Sequence, residues 1–164
     1  MDRTLAPLRS GSHVRIWTPP DWPWGAIEAG GVAVEWTGGS PGHPSSFGLL
    51  GGRLSPGTSR ILVPSDGPRF YEGHNGNADR ATFGLPSEYS AWILKVVPEG
   101  LTITTAAAGV ASSSPLVFMF LARALAAFLR DGIPIEDDAV RAVILGAVDW
   151  VVASPFYGSP KREA

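Results

Sequence analysis

The stretch Gly84 to Leu129, GLPSEYSAWILKVVPEGLTITTAAAGVASSSPLVFMFLARALAAFL, narrows the choice of folds more than any other part of the chain. It reads as a helix, a strand, a loop of small residues and a long apolar helix. Pro86 suits a first helical position, where its missing N–H costs nothing. Tyr89, Trp92, Ile93 and Val96 then fall at i, i+3, i+4 and i+7 and make one apolar stripe, with Trp92 expected in the core. Pro98 ends that helix. Leu101 to Ala107 alternates as a strand, and Ser112 to Ser114 offer N-caps to the helix that Pro115 opens. In this second helix Arg123 and Arg130 share a face, and nearly everything else is apolar, so it should be mostly buried.

Either side of this stretch the pattern changes. His13 to Trp17 and Val32 to Trp36 alternate and are β-branched or aromatic, as half-buried strands are. Shorter strands are expected near Phe47 to Leu50 and at Ser59 to Val63. Thr18 to Gly31 and Thr37 to Ser46 are turn-rich, and Phe70 to Asp79 carries GHNGNAD, whose glycines and asparagines suit positive φ. After Ile133-Pro134 a third helix is expected over Glu136 to Val152. Its buried stripe is Val140, Val143, Ile144, Ala147, Val148 and Val151, and its first turn is acidic, which complements the helix dipole. The order predicts an α+β fold in one domain, a two-layer sandwich of mostly antiparallel N-terminal strands with helices on one face, ending in two or three helices. Residues 1–12 and 154–164 read as mobile termini.

Composition sets outer limits. With 164 residues the chain can bury roughly two-thirds of its unfolded surface. The absence of cysteine excludes disulfides, thiolate metal sites and cysteine nucleophiles. Up to Phe83 there are seven arginines and seven acids, and the remainder has six basic and eight acidic residues. Neither half therefore supplies the basic field of non-specific nucleic-acid binding. Leu101 to Ala122 runs for 22 residues without a formal charge, long enough to span a bilayer. Its threonines and serines, with Gly109 and Pro115, argue against a spanning helix. With no apolar run before Val14, the sequence predicts a cytoplasmic protein.

Motifs for chemistry are sparse. His13 opens a strand, His43 lies in a glycine-rich loop, and His74 sits near Glu72, Asn75, Asn77 and Asp79. The latter spacing fits no calcium loop: counted from Asn75, the sixth and twelfth positions are Arg80 and Pro86 in place of Gly and Glu. No metal and no cofactor is expected. Ser112 to Ser114 read as helix caps. Asp66 and Glu72 read as solvated turn carboxylates. Trp17, Trp22 and Trp24, interleaved with Pro19, Pro20 and Pro23, form either a recognition surface or a lid folded over the core.

Gly84-Leu85-Pro86-Ser87-Glu88-Tyr89 resembles the Gly-x-Pro-x-Glu-Tyr helix start of domain IV of elongation factor G. The strand at Leu101 to Ala107, then Gly109, Ser112-Ser113 and Phe118 to Phe128, are similar to that domain in order and spacing. Thr37-Gly38-Gly39 with Gly42-His43 looks like the glycine-rich loop between its first two strands. The likeness covers about residues 31–130. It departs in the loop, where Ser40 and Pro41 stand in place of the family's arginine and glutamine. No G-x-x-x-x-G-K-[ST] occurs, so no phosphate cradle accompanies it.

The resemblance implies a stand-alone relative of one translation-factor domain: a non-enzymatic binding module whose partner is RNA, the ribosome or another protein. Gly38, Gly39 and His43 would supply the contact, with Trp22 and Trp24 as a second candidate surface. Two other classes stay open. One is an enzyme using His43 or His74 as base, which requires a pocket holding the histidine and a carboxylate. The other is a structural homodimer built on the apolar helices or the tryptophan loop.

Overall fold

A computed structural model describes residues 1–5, 8, 12–23, 27, 29–38, 46–64, 70–71, 81–109 and 112–155. Seven strands form one sheet: β1 (Asp2–Thr4), β2 (His13–Trp17), β3 (Val32–Thr37), β4 (Phe47–Leu54), β5 (Arg60–Ile61), β6 (Ala81–Phe83) and β7 (Leu101–Gly109). The helices are α1 (Ser87–Val96), α2 (Pro115–Asp131) and α3 (Asp137–Ala153). Strand order is β1-β2-β3-β4-β7-β5, and β6 also pairs with β7. Every pairing is antiparallel except β5 with β7. This is the expected α+β sandwich, with its helices on one face of the sheet.

Period-two alternation sorts the side chains. Val14, Ile16, Val32, Val34, Leu50, Leu101, Ile103, Ala106 and Ala108 point to the helices and make the main core with Ile93, Val96, Phe118, Leu121, Leu125, Phe128, Val140 and Ile144. Helix α2 lies deepest, and Gly48 on β4 is what admits it: a Cβ there would meet Val117 Cγ1 at 2.8 Å and Leu121 Cδ1 at 3.0 Å. The opposite face carries a smaller cluster of Trp17, Ala33, Phe47, Leu49 and Ala107, covered by Trp22 and Tyr71. Opposite the Gly51/Gly52 step of β4 the register shifts and Thr104 of β7 has no partner, a β-bulge that keeps both faces in phase.

Several expectations need correction. Residues 2–4 are an edge strand within a terminus expected to be loose. They are fixed by contacts far away in sequence: Arg3 donates to the Pro134 and Ile135 carbonyls, 2.7 Å each, and pairs with Asp137. The strand expected at Ser59 to Val63 shortens to β5, that at Phe47 extends to Leu54, and β6 was not anticipated. Pro86 is the N-cap of α1, one residue before the position expected. Trp92 is half-buried, with Lys95 Nζ 4.8 Å from its ring centroid.

The serine run acts differently from a set of caps. Ser114 stands at the N-cap of α2 without a side-chain cap bond. The Ser113 hydroxyl instead accepts from the Gly109 N–H at 2.8 Å and donates to the Phe47 carbonyl at 2.7 Å. It thereby ties the end of β7 to the start of β4. Leu101 to Ala122 divides into β7 and the start of α2, and among the described residues no helix is long and apolar enough to cross a membrane.

Candidate functional site

Strands β3 and β4 form a hairpin whose ladder is in register from Val32↔Gly52 to Thr37↔Phe47. The chain then leaves the sheet at Gly38 and returns at Ser46. Both ends of this loop are clamped: the Gly38 N–H donates to the Ser46 carbonyl at 2.8 Å, and Trp36 Nε1 donates to Ser46 Oγ at 2.9 Å. Trp36 is itself held edge-on against Phe120 of α2, with centroids 5.0 Å apart. Glycine at 38 leaves room for this clamp: a Cβ would lie 2.7 Å from Ser46 Oγ, 2.8 Å from Trp36 Nε1 and 3.1 Å from Ser12 Oγ, so these side chains would have to shift. The stem is therefore built as tightly as the core beneath it.

Below the stem, on the face away from the helices, lies a buried polar cluster. Alternation along VAVEWT puts Glu35 on that face with Ala33 and Thr37, and Glu35 is 5% exposed. The Tyr71 hydroxyl donates to Glu35 Oε2, and Thr37 Oγ1 donates to Oε1 over a long 3.4 Å. Arg15 stands directly across on β2. Its guanidinium grips Asp2 of β1 through Nε (2.8 Å) and Nη2 (2.6 Å), and its Cζ lies 4.7 Å from the Trp17 ring centroid.

These surroundings set the protonation. Burial pushes the Glu35 carboxyl above the ordinary carboxylate range, although Tyr71, Arg15 and Thr37 each pull the other way. Burial, followed by the charge of Glu35 and the hydrogen bond to it, pushes the Tyr71 hydroxyl up strongly. The hydrogen bond from Arg15 holds Asp2 below its usual value, and the same bond raises Arg15. Glu35 is thus a carboxyl that burial makes harder to ionise, next to a tyrosine that stays protonated.

Of the residues singled out from sequence, Gly38 forms the loop stem. Trp22 is 6% exposed and packs T-shaped on Trp17 at 5.2 Å, covering the small cluster. His13 is exposed and sits opposite Thr37, next to the stem. Gly39, His43, Trp24 and His74 lie outside the described residues, as do Asp66, Glu72, Asn75, Asn77 and Asp79. Gly38 and Trp22 are not brought together: they belong to the two ends of β3.

Sequence reasoning passes over Glu35, Tyr71 and Arg15, and places Thr37 in the loop, whereas it ends β3. The signal for Glu35 was present, a lone acid inside an alternating apolar strand; nothing in the sequence marked Tyr71 as its partner. Elsewhere, a groove of about 390 Å³ lies along β6, the end of β7 and the start of α1. It is lined by Thr82, Phe83, Leu85, Glu88 and Tyr89 among others, and by no histidine. Among the described residues no group of three or more histidines and carboxylates stands where it could hold a metal ion. Comparison with protein-family models, with curated proteins and with solved structures found no match to this chain.

Proposed function

We propose that the chain is a non-enzymatic binding module, similar in layout to domain IV of elongation factor G, that meets a ribosomal surface through the loop joining β3 and β4. One observation supports this reading above others. The loop that the resemblance marks as the contact element is carried on a stem locked by the Gly38–Ser46 and Trp36–Ser46 bonds. A rigid stem reduces the ordering cost when a loop engages a partner. The loop sequence GSPGHPS has no acid and a single histidine, so it brings no repulsion towards phosphate.

The test is co-sedimentation with ribosomes at low salt, comparing the full chain with a variant in which residues 39–45 are replaced by Asn-Gly, a turn that preserves a hairpin. The chain is expected to pellet with ribosomes and the variant to stay in the supernatant. Failure of the unmodified chain to pellet with ribosomes or bind RNA removes the reading. Equal pelleting of both proteins moves the contact away from the loop.

A further inference from the structure

We propose that the outer side of the helix layer, where Lys95, Arg123, Arg130 and Trp150 meet, is a docking surface for single-stranded RNA: the cations take its phosphates and Trp150 stacks a base. The surface is read from the helices and owes nothing to the loop between β3 and β4. Only the choice of RNA over DNA rests on the ribosomal reading above.

All three helices contribute. Most of α2 is buried, and Arg123, Ala127 and Arg130, at i, i+4 and i+7, lie along its open side. Arg123 Nη1 donates to the Val96 carbonyl at the end of α1 at 2.8 Å, and its Cζ lies 3.6 Å from the ring centroid of Trp150 on α3. The guanidinium is thus fixed where the helices join. Lys95, the residue before Val96, is exposed, with its Nζ 4.8 Å from the Trp92 centroid. Arg130 is exposed two turns further along α2.

These cations have no counter-charge. Arg3, Arg15 and Arg141 are each paired with an aspartate. Among the described residues no ion pair holds Lys95, Arg123 or Arg130. Asp131 and Asp149 adjoin Arg130 and Trp150 in the chain, yet neither forms an ion pair with these cations. Burial, then the like charge of Arg130, holds the Arg123 guanidinium below its ordinary value, and no carboxylate among the described residues offsets them. A chain of net charge −2 therefore gathers three unneutralised cations on one surface, which suits phosphates.

Trp150 decides between anionic partners. Its ring is steadied by the guanidinium of Arg123 and is still 40% exposed. An open, fixed aromatic ring among cations takes a nucleobase, since every base has a π-face. An acidic peptide gains from the cations but has nothing to lay on the ring.

The experiment is fluorescence anisotropy of a labelled, unstructured RNA dodecamer titrated with the full chain, with the Trp150 indole N–H followed by NMR. Three phosphate contacts predict a slope of about −2 in log K against log salt, or about twentyfold weaker binding when salt rises from about 50 to 200 mM. Lys95→Gln and Arg130→Gln, both at exposed positions, should each flatten the slope by about 0.7. Trp150→Ala should weaken binding about tenfold, and in the unmodified chain the indole signal should shift as RNA is added. The variant with residues 39–45 replaced by Asn-Gly should bind the dodecamer as the full chain does. No saturable binding, a slope that neither charge variant changes, or binding lost in the loop variant would each overturn the proposal. So would an oligoglutamate of the same length that displaces the RNA at equal concentration, because the surface would then read charge alone. Should Trp150→Ala fold poorly, the indole shift and the two charge variants decide. Pelleting with ribosomes but no binding of the dodecamer overturns this proposal and leaves the ribosomal reading standing.

Discussion

Substituting Gly38→Ala puts the clamped stem to a quantitative test. The added Cβ would lie 2.7 Å from Ser46 Oγ and 2.8 Å from Trp36 Nε1, where carbon contacts normally sit near 3.5 Å. Those two atoms are hydrogen-bonded to each other at 2.9 Å, so the methyl group enters as a wedge. Breaking the bond costs about 1 kcal/mol, and overpacking against a ring held by Phe120 adds about 1–3 kcal/mol. A loss of about 2–4 kcal/mol in urea denaturation is expected, with a shifted Trp36 indole N–H signal by NMR. Ser46→Ala alone should cost about 1 kcal/mol. Because both changes break the same bond, the double variant should lose about 1 kcal/mol less than the sum. A Gly38→Ala protein within about 0.5 kcal/mol of wild type, with an additive cycle, would refute the wedge argument. Gly38 would then matter for contacts outside the chain instead of for the stem.

Further perturbations probe other joints of the fold. Arg123→Met removes the 2.8 Å bond to the Val96 carbonyl and the guanidinium 3.6 Å from the Trp150 centroid. It should cost about 1–3 kcal/mol and couple with Trp150→Ala in a denaturation cycle. Ser113→Ala leaves the Gly109 N–H and the Phe47 carbonyl without their shared partner and should cost about 1–3 kcal/mol, with faster exchange at the Gly109 amide. Phe118→Ala empties a fully buried site under α2 and should cost about 3–5 kcal/mol by the same measurement. Asp2→Asn should destabilise by less than about 1 kcal/mol at neutral pH, since the pair with Arg15 is partly exposed. Its depressed carboxyl contributes above its ordinary value of 3.8 and is lost as pH falls through the folded value, so the two melting temperatures should converge in acid.

What could be read from the sequence was what depends on neighbours along the chain. The alternation of His13 to Trp17 and Val32 to Trp36, the helical stripe from Tyr89 to Val96 and the acidic first turn of α3 are local patterns, and the strands and helices lie there. β1 escaped because Asp-Arg-Thr has no strand character of its own; Arg3 is held by carbonyls more than 130 positions away. β6 escaped because its three residues follow a turn-rich run and pair with a strand that comes later. Ser113 looks like a cap in the sequence because a serine before Pro115 commonly is one, whereas its link to Phe47 spans 66 positions. The polar cluster divides in the same way. Glu35 is visible as an acid out of place in its strand, whereas Tyr71 becomes its partner only through the fold.

The strand order has a consequence for how the chain emerges during synthesis. β1 to β4 are complete once Leu54 has been made, yet the helix that covers their apolar face begins only at Pro115. β7, which pairs with β4, also arrives after α1. A nascent chain that pairs β2 to β4 early therefore has one uncovered apolar face and an unpaired β4 edge until β7 and α2 arrive. Such surfaces attract one another, so a stall or rare-codon pause between residues 55 and 115 should lower the yield of folded protein more than one placed after 131.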